Sequence, residues 1–450
     1  MTSGPHAIAF TAWGPDGAEL AVDGPAGSID LEAGESILFS LCAAYKEPLV
    51  LAGREDTGRR LERTARFWRG WSARAQYEGP YREAVVRSAL TLKLLTFAPS
   101  GAIVAAPTTS LPEWIRGSRN WDYRYTWLRD AAYTLQALIG LGYDEEARAF
   151  FWWLMHASRL NRPELAVLYA LDGSPGRDEC EIRALSGYRN SAPVRVGNAA
   201  VHQRQLDVYG AILDAIWLHV ETHGRLEAET GRAVAKIADH VAEVWGQPDS
   251  GIWEVRSEPV HFIQSKAMCW AALDRAAKLA ARGLLPDRSS HWRGQAEGIR
   301  RFIDEHGWDE ERRSFVRARE LRELDASLLT LLFIGYEDPR GERLSGTVEA
   351  VRRELAKGPL VDRYDGVDGV PGQEGSFLTC SFWLVDALAR SARVEEAAEL
   401  MDELLRLSND VGLYAEELDP TSGDFLGNFP QALVHLALVN AALAIERAAG

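Results

Sequence analysis

The chain has 450 residues, 46% hydrophobic and 26% charged, which is ample apolar material for a large core and excludes disordered or collagen-like architecture. Its 50 Lys and Arg against 65 Asp and Glu leave a formal net charge of −15. Such a surface repels nucleic-acid phosphates and anionic lipid headgroups, so neither a nucleic-acid nor a membrane partner is expected. Fifteen Trp, 13 Tyr and 14 Phe are a heavy aromatic load. It has two readings: core filling, or stacking against the apolar face of a sugar ring. Four widely spaced cysteines (Cys42, Cys180, Cys269, Cys380) form no CxxC pair and read as free buried thiols.

The N-terminus, MTSGPHAIAFTAWGPDG, lacks a basic region followed by a long apolar run, which leads to the expectation of a cytoplasmic protein. Residues 1–55 alternate short apolar runs with turn clusters and read as a short β-rich segment. Residues 56–81 are charged and read as a linker helix. From 82 to 450 apolar residues recur at helical spacing, with helices expected near 83–98, 128–141, 144–158, 198–223, 226–246, 264–283, 289–307, 324–335, 342–357, 375–392, 394–408 and 429–448.

Twelve helices in pairs make six αα-hairpins, which close into an inner and an outer ring and leave no apolar edge. An open superhelical array would need a sequence repeat, and none is visible. Long Gly- and aromatic-rich connections at 99–127, 159–197, 247–263, 358–374 and 409–428 alternate with short ones, so they belong on one face of the ring.

Three of these loops hold candidate chemistry. The run Asn120 to Asp130 (NWDYRYTWLRD) sets the rings of Trp121, Tyr123, Tyr125 and Trp127 two residues apart among charges. Alternating stacking surfaces and hydrogen-bonding groups suit a polyhydroxylated ligand better than a simple helix entrance. Gly251-Ile252-Trp253-Glu254 places a carboxyl against an indole, and desolvation raises such a carboxyl toward the range of a general acid. Tyr414-Ala415-Glu416-Glu417-Leu418 offers further carboxylates beside an aromatic. Glu254 and Glu416 fall on the same face of a six-hairpin ring, and two opposed carboxyls are the minimal apparatus for cleaving a glycosidic bond. No GxSxG, P-loop, GxGxxG or HExxH occurs, and His156, His202, His261 and His435 have no ligand spacing, so no metal or cofactor is expected.

These residues resemble glycoside hydrolase family 15, the glucoamylase, glucodextranase and bacterial trehalase group. The resemblance runs from about 83 to 448 through Asp122-Tyr123-x-Tyr125-Thr126-Trp127-x-Arg129-Asp130, Trp253-Glu254, Arg363-Tyr364 and YAEELDP. It implies an all-α (α/α)6 barrel, inverting exo-action on α-glucosides, Glu254 as general acid and Glu416 as general base, their carboxyls about 6.5–9.5 Å apart. It further implies that Tyr123, Trp127, Arg129, Asp130, Trp253 and Arg363 hold the terminal glucose, with Tyr364 and Trp121 near it or toward the leaving group. Glu417 takes a structural hydrogen-bonding role. Bacterial members commonly have a larger N-terminal β-sandwich, so residues 1–55 read as a shortened form of one. Short isomalto- or malto-oligosaccharides are the expected substrates, with trehalose as the alternative. Other readings on the same scaffold are an inactive sugar-binding relative and a phosphorylase.

Overall fold

The computed structural model describes residues 2–21 and 28–449, with only the backbone described for Thr2 and Leu160. The chain divides into two compact units, Met1–Arg74 and Ala75–Gly450.

The first unit holds β1 (Thr2–Ser3), β2 (His6–Trp13), β3 (Glu19–Leu20), β4 (Leu38–Tyr45) and helix α1 (Arg54–Ser72). Strands β2 and β4 pair antiparallel from His6↔Tyr45 to Trp13↔Leu38. Alternation throws Ile8, Phe10, Phe39, Leu41 and Tyr45 onto one exposed face, where Phe10 and Phe39 stack with centroids 5.6 Å apart. The helix expected over 56–81 stops at Ser72, and residues from 75 onward belong to the second unit. There the Gln76 N–H donates to Leu141 O, and Tyr77 is fully buried ahead of Gly79-Pro80.

The second unit is a double ring of helices. Its members are α2 (Arg82–Leu94), α3 (Ala131–Gly140), α4 (Asp144–Ala157), α5 (Asp207–His223), α6 (Ala228–Val244) and α7 (Ile263–Ala281). They continue with α8 (Ser289–His306), α9 (Thr330–Phe333, entered by a 3₁₀ turn at Ala326–Leu329), α10 (Glu342–Glu354), α11 (Leu378–Arg390), α12 (Val394–Leu405) and α13 (Ala432–Ala449). Packing closes an inner ring in the order α3, α5, α7, α9 with its 3₁₀ turn, α11, α13 and back to α3, while α2, α4, α6, α8, α10 and α12 lie outside it. This is the (α/α)6 barrel expected from the hairpin count.

The sequence explains which helix goes where. In α8 the buried residues are Trp292, Ala296, Ile299 and Ile303, one stripe at helical spacing, as an outer helix with a wet face requires. In α7, α11 and α13 almost every residue is buried, so each must sit between neighbours on all sides. Helix α13 is long and apolar enough to cross a membrane by composition, but most of it is buried within the fold. Of the four free cysteines only Cys269 and Cys380, on inner helices, are buried; Cys180 lies on an exposed loop.

Because each hairpin reverses the chain, all inner helices run the same way, and the connections preceding them share one face. These are residues 95–130, 158–206, 245–262, 307–325, 355–377 and 406–431; the fourth was not among the long loops marked by composition. The floor beneath them is aromatic: Trp383 of α11 packs against Tyr133 at 5.8 Å, Phe333 at 6.4 Å and Trp253 at 5.8 Å between centroids. Much of the Trp content is therefore core. Trp383→Ala should lower unfolding free energy by about 3–5 kcal/mol in urea denaturation, and Trp383→Phe should cost clearly less.

Candidate active site

Each catalytic candidate is delivered by a loop that runs into an inner helix. Residues 126–130 lead directly into α3, so Arg129 and Asp130 sit at its positive N-terminal end, which favours the Asp130 carboxylate. Arg129 Nε donates to Asp130 Oδ1 at 2.8 Å, and its Nη1 donates to Ile252 O at 2.8 Å and to Glu254 Oε1 at 3.0 Å. Trp127 Nε1 donates to the same Glu254 oxygen at 2.9 Å. Both side-chain hydrogen bonds of Glu254 thus fall on Oε1, and Oε2 has no protein partner among the described residues. Glu254 adopts φ +56, a left-handed conformation that non-glycine residues hold only where the surroundings impose it. Burial raises its pKa, with the Arg129 charge and the Trp127 hydrogen bond opposing.

Glu416 enters from the loop before α13 and is 1% exposed. Tyr123 Oη donates to its Oε1 at 2.7 Å, while Oε2 is buried without a partner among the described residues. Gly427, with φ +75, lies so close that a Cβ there would come within 2.6 Å of Glu416 Oε2. Burial, together with the charge of Glu113, pushes Glu416 up to about 8, against Arg363 and the Tyr123 hydrogen bond.

Two adjoining chambers lie over the aromatic floor. The inner one, about 380 Å³, is lined by Tyr123, Trp127, Arg129, Asp130, Trp253, Glu254, Arg363 and Glu416, among others. The outer one, about 480 Å³, takes Glu113, Arg119, Trp121, Gln203, Arg256, Tyr364 and Asp368. Tyr123, Trp253, Glu254 and Arg363 line both chambers and so form the boundary between them.

The structure brings Trp121, Tyr123, Trp127, Arg129, Asp130, Trp253, Glu254, Arg363, Tyr364 and Glu416 together around this boundary, whereas Tyr125 and Glu417 line neither chamber. Glu417 is fully buried and accepts from the Gly375 N–H at 2.8 Å, outside either chamber lining. Trp121 is not an open stacking surface: its ring lies 4.8 Å from the Arg195 guanidinium and 4.4 Å from that of Arg256. Its Nε1 donates to Glu113 Oε1 at 2.8 Å. Tyr364 Oη donates to Asp368 Oδ2 at 2.7 Å.

Sequence reasoning missed Glu113, Arg119, Asp368 and Glu374, which surround Arg363. Arg363 Nε donates to Glu374 Oε1 at 3.1 Å, and its Nη2 lies 3.5 Å from carboxylate oxygens of both Glu113 and Glu417. Arg119 Nη1 donates to Asp368 Oδ2 at 2.8 Å and Glu374 Oε2 at 2.9 Å. Carboxylate oxygens of Glu113, Glu374 and Glu417 lie within 4.8 Å of one another, a spacing that suits a metal ion. Here the Arg363 guanidinium already pairs with all three. Burial raises Glu113 to about 7 and holds Glu417 well above the ordinary glutamate value. Asp207, at the start of α5, is also buried, with both oxygens unpartnered among the described residues; burial and the charge of Asp249 lift it to about 7, against Arg129.

A hydrophilic two-chamber cleft with a carboxyl at its waist and another in its inner room is suited to splitting a bond between two sugar rings. The chain belongs to glycosyl hydrolase family 15, whose model matches residues 79–443. It is 43% identical over 401 residues to a trehalase of Mycobacterium tuberculosis, covering 88% of this chain and 59% of that protein. It is 41% identical over 391 residues to a trehalase of Thermoplasma volcanium, covering 86% and 62%. The chain therefore spans about three fifths of the length of these relatives. Among solved structures, a bacterial glucoamylase complexed with acarbose matches with TM-score 0.70 at 16% identity, over 93% of this chain and 64% of that one. A glycosidase variant in complex with glucose matches with TM-score 0.64 at 19% identity, over 81% and 96%. Both likenesses concern the fold.

Gly427→Ala should push the Glu416 carboxyl out of place and lower turnover of a glycoside substrate about 100-fold. The fold should persist by circular dichroism.

Proposed function

We propose that the chain is an inverting α-glucoside hydrolase acting on trehalose. The observation that carries the hydrolase reading is the position of Glu254 at the junction of two adjoining chambers, with Glu416 lining only the inner one. A disaccharide laid across the junction puts its bridging oxygen beside Glu254 and the far face of the inner ring toward Glu416. The family supports the chemistry, and the relatives named trehalase favour trehalose over the malto- and isomalto-oligosaccharides expected from sequence.

Arg129 and Asp130 close the inner chamber and hold hydroxyls remote from the scissile bond, which makes the action exo. Glu254 gives its proton to the bridging oxygen as the bond from that oxygen to the inner anomeric carbon breaks. A water on the opposite face bonds to that carbon and gives a proton to Glu416, so the inner glucose leaves as the β-anomer and the outer one keeps its α-configuration. The next turnover requires Glu254 to regain a proton and Glu416 to lose one. The phosphorylase reading fits less well, because the guanidiniums of Arg119 and Arg363 are already matched by carboxylates, which leaves little free positive charge for a phosphate.

The test is a panel of trehalose, maltose and isomaltose, with early products followed by proton NMR. Trehalose should have the highest kcat/KM and release α- and β-glucose in equal amounts before mutarotation. Exclusive α-glucose would exclude inversion, and a clear preference for maltose or isomaltose would exclude trehalose as the substrate. Glu254→Gln should abolish nearly all turnover while glucose still binds.

The base must be ionised, and Glu416 is held well above the ordinary 4.5 of a glutamate. The acidic limb of the kcat/KM profile should therefore lie well above that value, with activity lost as pH falls through it. Glu113→Gln removes a negative neighbour, which stabilises the ionised form of Glu416. The limb should then move to lower pH.

A further inference from the structure

The six loops follow one another around the ring, so the fifth, residues 355–377, has the fourth and sixth as its neighbours. Its flanks behave accordingly. Tyr364 pairs with Asp325 of the fourth loop, and Ser376 and Phe377 pair with Leu418 and Glu417 of the sixth. Its middle does not. Residues 368–374 touch the first and third loops, neither of which adjoins the fifth, and so the segment reaches across the outer chamber.

The contacts on both sides are close. The backbone N–H groups of Arg256 and Ser257, in the third loop, donate to Asp368 O at 2.7 and 3.1 Å. A Cβ on Gly369, whose φ is +81, would come within 2.5 Å of Ser257 N, so the two backbones meet without room for a side chain. From the first loop, Arg119 grips Asp368 with two prongs, Nη1 to Oδ2 at 2.8 Å and Nη2 to Oδ1 at 3.1 Å, and its Nη2 also donates to Val370 O at 2.9 Å. Arg119 and Asp368 are both about nine-tenths buried, where a bidentate pair is strong and geometrically exacting.

We propose that residues 368–374, latched by Arg119, end the outer chamber after one sugar ring and so set the length of the leaving group. Arg119 is a positioning residue in this role, acting through Asp368 and Val370 on the crossing segment. The proposal rests on the two-chamber glycosidase reading, and its test separates the two.

The probe is a trisaccharide in which one ring of trehalose carries a further 4-linked glucose. Cleavage at the α,α bond yields maltose and glucose, whereas cleavage at the 4-link yields trehalose. The parent enzyme should cleave the α,α bond of this trisaccharide with kcat/KM about 100-fold below that for trehalose. Arg119→Ala should shrink that ratio at least about 10-fold, chiefly through KM for the longer substrate. Arg119→Lys, which keeps the charge but loses the fork, should fall between, and it stands in should the alanine variant not fold. A parent that cleaves both substrates equally, or folded variants whose ratio matches the parent's, would overturn the latch while leaving the hydrolase reading intact. If maltose proves to be the substrate instead, the ratio of maltotriose to maltose, in parent and variants, tests the same latch.

Discussion

Two guanidinium groups stand between a large concentration of buried negative charge and water. Arg119 and Arg363 are flanked by Glu113, Glu374, Glu417 and Asp368, with Glu416 close by, and none of these carboxyls is more than slightly exposed apart from Glu374. Carboxylates outnumber cations here, so the cluster holds some of its protons at neutral pH, as the raised values of Glu113, Glu416 and Glu417 indicate. Taking one partner from such a buried set typically costs about 3–5 kcal/mol, because a desolvated charge is left behind. The sheet of Ser376–Phe377, Glu417–Leu418 and Phe425–Leu426 passes through this cluster, so the charges that tune Glu416 also hold the loop that carries it.

The ring supplies the second requirement. With inner helices all running one way, the six loops collect at helix N-termini, where orphan N–H groups and the macrodipole offset negative charge. Asp130, Asp207 and Glu416 all approach this face. An architecture with alternating helix directions around the centre would give half of these carboxylates the wrong end of a dipole.

The helices were legible because a 3.6-residue apolar period is a local signal, and each of the twelve expected segments overlaps an observed helix. Glu254, Glu416, Arg129 and Asp130 stood out because unusual residue types cluster within short loops. The residues that finish the site left no such trace. Arg119 meets Asp368 across 249 positions, and Glu113 lies 250 positions from Arg363, so nothing within either loop marks the pairing. Trp121 shows the converse: its neighbours in sequence suggested a stacking surface, while distant Arg195 and Arg256 decided what covers it. The end of the first helix was misjudged because residues 73–81 keep a polar, helix-compatible composition up to Gly79-Pro80, while the fold turns the chain away at Ser72.

In the proposed reaction, the boundary shared by Tyr123, Trp253, Glu254 and Arg363 also bears on the order of departure. Arg129 and Asp130 line the inner room alone, while those four residues line both, so passage between the rooms runs past them. In the proposed reaction the two halves would leave in order, the freed outer ring first and the inner one through the space it vacates. On that reading a free monosaccharide settling in the outer room would delay the one behind it, acting as a brake on the exit route rather than a competitor for the reacting carbon.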